Sequence, residues 1–310
     1  MAGDKAAMGE DPALAEAIRI ARGPAPRVMT VFDEPTFTAS HIVADPASGA
    51  CAVIDPVLGF DPSSGRTDTR SADRLIALVR DEGLSVAWIL ETHAHADHLS
   101  AAPYIRENLG GRIAIGAKIG LVRDVFAPLF GAHAGLSETP LPFDRLFEDA
   151  ETFAIGELTA LALHTPGHTP ADLTYVLGGC AFIGDTLFMP DSGTARTDFP
   201  GGDANDLYRS IRRILNLPEA TRLYLCHDYK APGREAYIWC ATVSEQRAAN
   251  IHIHDGVSED AFVALREARD ATLDMPRLIL PSLQVNLRAG FLPEPDADGV
   301  RRLVLPLNAL

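Results

Sequence analysis

Positive charge is scarce in this chain: 27 Lys and Arg stand against 42 Asp and Glu in 310 residues, a formal net charge of −15. A sequence-independent grip on nucleic acid needs an excess of cations to release phosphate counterions, so no nucleic-acid partner is expected. Long apolar runs are missing too. No stretch reaches the ~20 residues that a membrane helix requires, and a membrane partner is not expected. Met1 to Arg27 carries several acids and no apolar h-region, so it does not read as a secretory signal. Cysteine is sparse: Cys51, Cys180, Cys226 and Cys240 are scattered without CxxC spacing. That pattern argues against a disulfide framework or a zinc ribbon and fits buried free thiols in a reducing cytoplasm. Nor does any low-complexity linker or short-period repeat divide the chain.

What is present is a regular alternation of short apolar runs and helical patterns, which points to a mixed α/β architecture. Strands are expected at 28–32, 41–43, 51–55, 86–90, 112–116, 158–163, 173–177, 180–183 and 222–226. Gly178-Gly179 reads as the turn of a hairpin. Helices are expected at 71–82, with Gly83 as its stop, and at 99–109, 203–216, 242–250 and 258–271. Thr242 and Glu245 fit a capping box. Residues 121–150 read as loop-rich. Residues 1–27 read as a leader, in part tag-derived or disordered. Residues 28–310 read as one catalytic domain, whose extension from about 256 to 310 packs on the core.

Four potential ligands fall within six residues: His93, His95, Asp97 and His98. They follow the apolar strand Ala87-Trp88-Ile89-Leu90 and precede a helix. A tight strand-to-helix turn lets side chains converge instead of alternating between faces. Imidazole with carboxylate suits Zn, Fe or Mn. Further candidates also end apolar strands: His168 in His164-Thr165-Pro166-Gly167-His168, Asp185 after Ala181-Phe182-Ile183-Gly184, and His227 after Tyr224-Leu225-Cys226. Each alone is weak, but two facing sheets could bring them to one rim. His164 stands four residues before His168, yet Pro166 and Gly167 oppose a helix there, so it reads as structural.

The His93-to-His98 segment with His168, Asp185 and His227 resembles the metallo-β-lactamase superfamily over roughly residues 28–255. The resemblance implies an αβ/βα four-layer sandwich of two mixed sheets flanked by helices, with metal at one edge. In dinuclear members His93, His95 and His168 would hold one metal, Asp97, His98 and His227 the other, and Asp185 would bridge. The stretch Gly184 to Gly202, with Cys226-His227-Asp228-Tyr229-Lys230 and Pro276 to Gly290, is similar to the persulfide (sulfur) dioxygenases, particularly the bacterial β-lactamase-like proteins of sulfide-detoxification operons. Many of those carry Cys where this chain has Thr197, which argues against a redox role at that position.

That second resemblance implies a mononuclear Fe(II) held by His93, His168 and Asp185, a facial triad. Asp97, His98, His95 and His227 are then the candidate catalytic residues, orienting the ligands and tuning the metal by hydrogen bonding. The implied reaction passes both atoms of O2 to the terminal sulfur of glutathione persulfide, and water releases sulfite and glutathione. Glutathione carries carboxylates, so Arg196, Lys230 and Arg234, with Tyr229 as a donor, are the candidate substrate-binding residues. Homo-oligomerisation is frequent in that subgroup. The same seven residues also suit one or two Zn(II) ions in a glyoxalase II-like thioesterase or a lactonase, with His95, Asp97, His98 and His227 as ligands of the second ion. A non-enzymatic metal-stabilised binding or sensor module is the remaining alternative.

Overall fold

The computed structural model describes residues 11–131, 135–136 and 140–309. One six-stranded sheet runs in the order β1 (Arg27–Asp33), β2 (Thr38–Ala44), β3 (Ala50–Ile54), β6 (Ser85–Leu90), β8 (Arg112–Gly116), β9 (Arg145–Phe147). The other runs β10 (Glu151–Ile155), β11 (Leu158–His164), β12 (Leu173–Leu177), β13 (Cys180–Phe182), β14 (Arg222–Tyr224), β15 (Cys240–Thr242). A small ribbon joins β5 (Arg66–Asp68), β4 (Val57–Asp61) and β7 (Leu99–Ser100). Pairing is mixed: β3–β6, β6–β8, β8–β9 and β13–β14 are parallel, while pairs such as β1–β2 and β11–β12 are antiparallel. The helices are α1 (Pro12–Ala21), α2 (Arg70–Asp81), α3 (Ala102–Leu109), α4 (Ile119–Phe130), α5 (Ala204–Leu215), α6 (Val243–Ala249), α7 (Glu259–Asp270) and α8 (Ile279–Asn286).

The layers follow from strands that are apolar on both faces. Along β3, Ala52 and Ile54 meet the second sheet, whereas Cys51 and Val53 meet the helices outside. Trp88 and Leu90 of β6 likewise point inward, against Ile89 outward. Period-two alternation with both faces buried gives near-continuous apolar runs, which is what parallel strands between helices require. Leu75, Ile76 and Val79 of α2 and Ile105 of α3 cover the first sheet. Leu14 and Ile20 of α1, Leu207, Ile211 and Ile214 of α5, and Phe262 of α7 cover the second. This is the four-layer αβ/βα sandwich that the resemblance implied.

Several local expectations hold for identifiable reasons. Gly178 and Gly179 take φ of 42° and 73° between Leu177 and Cys180, as a two-residue hairpin needs. Gly83, at φ 64°, follows α2. Thr242 and Glu245 form the capping box of α6. Two readings are corrected. Residues 119–130, within the stretch read as loop-rich, form α4, because Ile119, Val122, Phe126, Ala127 and Phe130 repeat on one buried face; Pro128 sits in its last turn. Residues 12–21, read as part of a leader, form α1, capped by Asp11 and packed on the second sheet. The helix expected from Leu99 starts at Ala102, because Leu99 and Ser100 pair with β4. Cys51, Cys180 and Cys226 are buried free thiols, as expected; Cys240 is partly exposed. Among the described residues no helix is long and apolar enough to cross a membrane.

Candidate metal centre

All seven candidate ligands meet at one edge of the sandwich, where β6, β11, β13 and β14 end. The anchor is Asp55, which follows β3 at φ 49°. Its carboxylate accepts from Thr92 N (2.7 Å), Thr92 Oγ1 (2.8 Å) and His95 Nε2 (3.0 Å), so one buried side chain pins the histidine loop to the first sheet. Gly184 brings Asp185 against that loop. A Cβ there would stand 2.7 Å from Thr92 Oγ1, and its φ is 51°, so only glycine allows this approach without strain. Asn286 of α8 clamps the loop from the other side. Its amide donates to the carbonyls of His95 and His98 (2.8 Å each) and its oxygen accepts from Ser100 N (2.8 Å). The C-terminal extension is thus part of the site's framework.

Hydrogen bonding orients every imidazole. The Thr92 hydroxyl donates to Asp55, so it accepts from His93 Nδ1 (3.0 Å) and leaves His93 Nε2 as the free lone pair. His95 donates through Nε2 to Asp55, leaving Nδ1. His98 Nδ1 donates to Leu99 O (3.1 Å), His168 Nδ1 to Arg196 O (2.9 Å) and His227 Nδ1 to Phe37 O (3.1 Å). The atoms left over converge: His93 Nε2, His95 Nδ1, His98 Nε2, His227 Nε2, Asp97 Oδ2 and Asp185 Oδ1 are buried and have no hydrogen-bond partner. Six orphaned donor-set atoms in one place are costly unless a cation joins them. Imidazoles fixed through the distal nitrogen are the arrangement metal ligands require. The residues present therefore fit a metal ion.

Ligand-atom proximity divides the cluster. His93, His168 and Asp185 gather within 4.8 Å of one another, as do His95, Asp97 and His98. The dinuclear scheme implied by resemblance put His95 with His93 and His168, and Asp97 and His98 with His227. In the structure His95 lies between the two groups, its ring centroid 4.1 Å from that of His93 and 4.2 Å from that of His98, while His227 Nε2 lies 3.3 Å from Asp97 Oδ2 and 3.5 Å from Asp185 Oδ1. Cys226 also comes within 4.8 Å of His95 and His227 ligand atoms. His164 stays outside the cluster, held by Pro170 O (2.9 Å).

Without metal the histidines divide by charge. Burial, with the neighbouring His95, pushes His93 well down and His98 to about 4, keeping both neutral. Burial opposes a proton on His95 as well, but the Asp55 carboxylate overcomes it and holds His95 well above the usual imidazole range. Burial likewise opposes charge on His227, and Asp185 with Asp97 outweighs it. A cation would replace those protons, coupling metal uptake to proton release.

A cavity of about 560 Å³ opens beside Asp97, His168 and Asp185, walled by Phe188, Phe199 and Tyr229. Tyr229 lies flat on the His227 ring, 5.6 Å between centroids. A wider groove of about 1070 Å³ meets the cavity at Asp97, Tyr229 and Pro276. The expected substrate-binding cations separate here. Lys230 lines the cavity; Arg234 does not. Arg234 is instead committed to Asp228 (2.6 Å) and Asp191 (2.7 Å), bracing the loop after His227. Arg196 lines the cavity but grips Asp198 through two nitrogens (2.6 Å each) and Asp274 O through the third (2.7 Å). Asp55, Glu91 (3.3 Å from His95 Nε2), Asn286, and the cavity-lining Arg266 and Arg269 are residues that sequence reasoning missed. Asp55 carries the same signal as Asp185, an acid ending an apolar strand. Asn286 lies in the Pro276-to-Gly290 stretch that the resemblance singled out, but nothing local marked it as a clamp, and the two arginines carry no signal, since they reach the site from far along the chain.

The metallo-β-lactamase superfamily signature matches residues 34–227, more than half of the chain. The chain is 57% identical to a probable metallo-hydrolase of Burkholderia pseudomallei (strain 1710b), over 90% of this chain and 98% of that one. It is 44% identical to Glyoxylase B2 of Dictyostelium discoideum (88% and 94%) and 29% identical to the human mitochondrial persulfide dioxygenase ETHE1 (84% and 87%). Some relatives at about 50% identity are longer, the chain spanning 65% of their length. Among solved structures it is similar to ETHE1 from Myxococcus xanthus, with a TM-score of 0.68 at 27% identity, covering 86% of this chain and all of that one. Its fold, its buried His/Asp cluster and this match agree: the chain belongs to the metallo-β-lactamase superfamily.

Proposed function

We propose that the chain is a mononuclear non-haem Fe(II) persulfide dioxygenase, oxidising the sulfane sulfur of glutathione persulfide with O2 to sulfite and glutathione. One observation carries this reading. His93, His168 and Asp185 bring two imidazoles and a carboxylate within 4.8 Å of one another beside the cavity. Such a triad suits Fe(II) and leaves positions for a sulfur ligand and O2. Bound there, iron supplies the redox chemistry toward O2 that side chains lack.

The chain's own residues orient and enclose. Thr92 and Asp55 fix the His93 ring, and the Arg196 carbonyl fixes His168. Phe188 and Phe199 give the cavity apolar walls that limit water at the reacting sulfur. Overall, RSSH, O2 and H2O give RSH, sulfite and two protons. Asp97 borders the cavity 3.3 Å from His227 Nε2, and this pair fixes the hydrogen bonding around the metal end.

A hydrolase reading has specific support too. His95, Asp97 and His98 form a second group, as a second zinc would need, and the similarity to the probable metallo-hydrolase and Glyoxylase B2 exceeds that to persulfide dioxygenase. A glutathione thioesterase or lactonase would follow. Metal analysis of protein produced without added zinc, with oxygen uptake on glutathione persulfide, separates the two. The proposal expects one iron per chain, O2 consumption, and Asp97→Ala protein that keeps its full metal content while Asp185→Ala loses it. Two zincs, thioester hydrolysis and no oxygen uptake would overturn it.

A further inference from the structure

Cys226 differs from the other thiols in what surrounds it. Cys51 packs among aliphatic side chains under the helices of the first sheet, and Cys180 and Cys240 pack in the apolar layer between the sheets. Cys226, 2% exposed, belongs to none of the apolar clusters among the described residues. Its place follows from strand alternation. Leu223 and Leu225 turn toward the helices and Tyr224 toward the other sheet, so the next residue on the side of Tyr224 is Cys226. Ala39 N donates to Cys226 O (2.7 Å) and Thr38 bridges to His227, which carries the extended backbone of β14 on to the metal end.

The thiol lies within 4.8 Å of ligand atoms of His95 and His227. Both rings are fully buried. Their hydrogen bonds to Asp55 and to Phe37 O leave His95 Nδ1 and His227 Nε2 without a partner. Two imidazoles with free lone pairs and a thiol make a softer donor set than His93, His168 and Asp185. Thiolate with imidazole suits Zn(II), whereas two imidazoles and a carboxylate suit Fe(II). The cavity gives access: Asp97, 3.3 Å from His227 Nε2, and Tyr229, stacked on the His227 ring, both line it.

We propose that His95, Cys226 and His227 form a sulfur-containing site for Zn(II), separate from the His93–His168–Asp185 triad. Three protein donors leave a fourth position for water, as in open tetrahedral zinc sites. Uptake replaces the thiol proton and any protons held on the two rings by the metal. None of the seven converging ligands supplies sulfur, so Cys226 is what distinguishes this site from a second ion held by oxygen and nitrogen alone. The His95 ring stands 4.1 Å from that of His93, so the site adjoins the triad without using its ligands. The inference goes beyond the persulfide reading and does not depend on it, since it concerns which ion is held and not which reaction follows.

Cobalt(II) reports the donor directly, because thiolate bound to cobalt gives an intense near-ultraviolet charge-transfer band that nitrogen and oxygen donors do not. Metal-free wild type titrated with Co(II) under anaerobic conditions should develop that band. Cys226→Ser and Cys226→Ala should lose it together with one cobalt equivalent. Cys240→Ser and Asp185→Ala should keep it. Zn(II) affinity of Cys226→Ser, read by competition with a chelator, should fall by more than the ~10–100-fold that loss of an orienting neighbour costs. X-ray absorption of zinc-loaded wild type needs no variant to fold and should show one sulfur at ~2.3 Å. A wild type without the band, a band that survives Cys226→Ser, or zinc bound by nitrogen and oxygen alone overturns the site. Such a result leaves the persulfide reading untouched, and a protein that takes up no oxygen with glutathione persulfide leaves the site standing.

Discussion

Asn286→Ala tests whether the C-terminal extension builds the site. Asn286 is 5% exposed and makes three hydrogen bonds of 2.8 Å to the 95–100 segment. At ~1 kcal/mol net for each bond, truncation should cost about 3 kcal/mol, and more where water cannot reach the stranded carbonyls of His95 and His98 and the Ser100 N–H. Because these carbonyls belong to loop residues that carry candidate ligands, the loss should also reach the metal. Removing a group that orients ligands typically lowers affinity ~10–100-fold. Urea unfolding of the metal-free protein reads the first effect as a shift in midpoint at unchanged slope, and competition with a chelator reads the second. Asn286→Asp should do no better than alanine, since it keeps an acceptor for Ser100 but sets a carboxylate against two carbonyls. A loss below ~1 kcal/mol with unchanged metal affinity would refute the clamp.

Gly184→Ala places a Cβ 2.7 Å from Thr92 Oγ1 at a φ of 51°. It should cost at least ~1–2 kcal/mol from the backbone alone and lower metal occupancy by displacing Asp185, measurable by metal analysis after gel filtration. Asp172 is buried, and burial pushes its carboxyl from 3.8 up to about 7 despite the Thr169 donors. Its contribution to stability is therefore full below pH ~4 and is lost as pH rises through about 7. Asp172→Asn should flatten the fall in urea midpoint of the metal-free protein over that window; an unchanged pH slope contradicts the assignment. Arg234→Ala leaves the fully buried Asp228 carboxylate without its counter-charge and with only the Lys230 and Ile238 amides as donors, which should cost up to ~3 kcal/mol in thermal or urea unfolding. A variant as stable as wild type would show that the 228–238 loop needs no such brace.

Much of the scaffold was legible because each feature rests on neighbouring residues. The strands announced themselves as apolar runs, and Gly178-Gly179 and Gly83 marked turns that need positive φ. His93, His95, Asp97 and His98 stood out because four ligand types crowd six positions. Helices α1 and α4 were missed where the flanking sequence looked irregular, although α4 carries a clear apolar face. The roles of the arginines could not be read at all. Arg196, Arg234 and Arg269 are the same residue type, and only tertiary structure shows that the first two grip Asp198 and Asp228 while Arg269 has no ion-pair partner among the described residues.

The sequence by itself thus determined a mixed α/β architecture from periodicity and seven candidate ligands from residues ending apolar strands, and the resemblance carried by those residues implied the layered sandwich. Tertiary structure alone decided which nitrogen each imidazole leaves free, and that Asn286 clamps the histidine loop while Arg266 and Arg269 line the cavity. The reason is separation along the chain: Asn286 lies 191 residues from His95, and no local pattern encodes a hydrogen bond across that span.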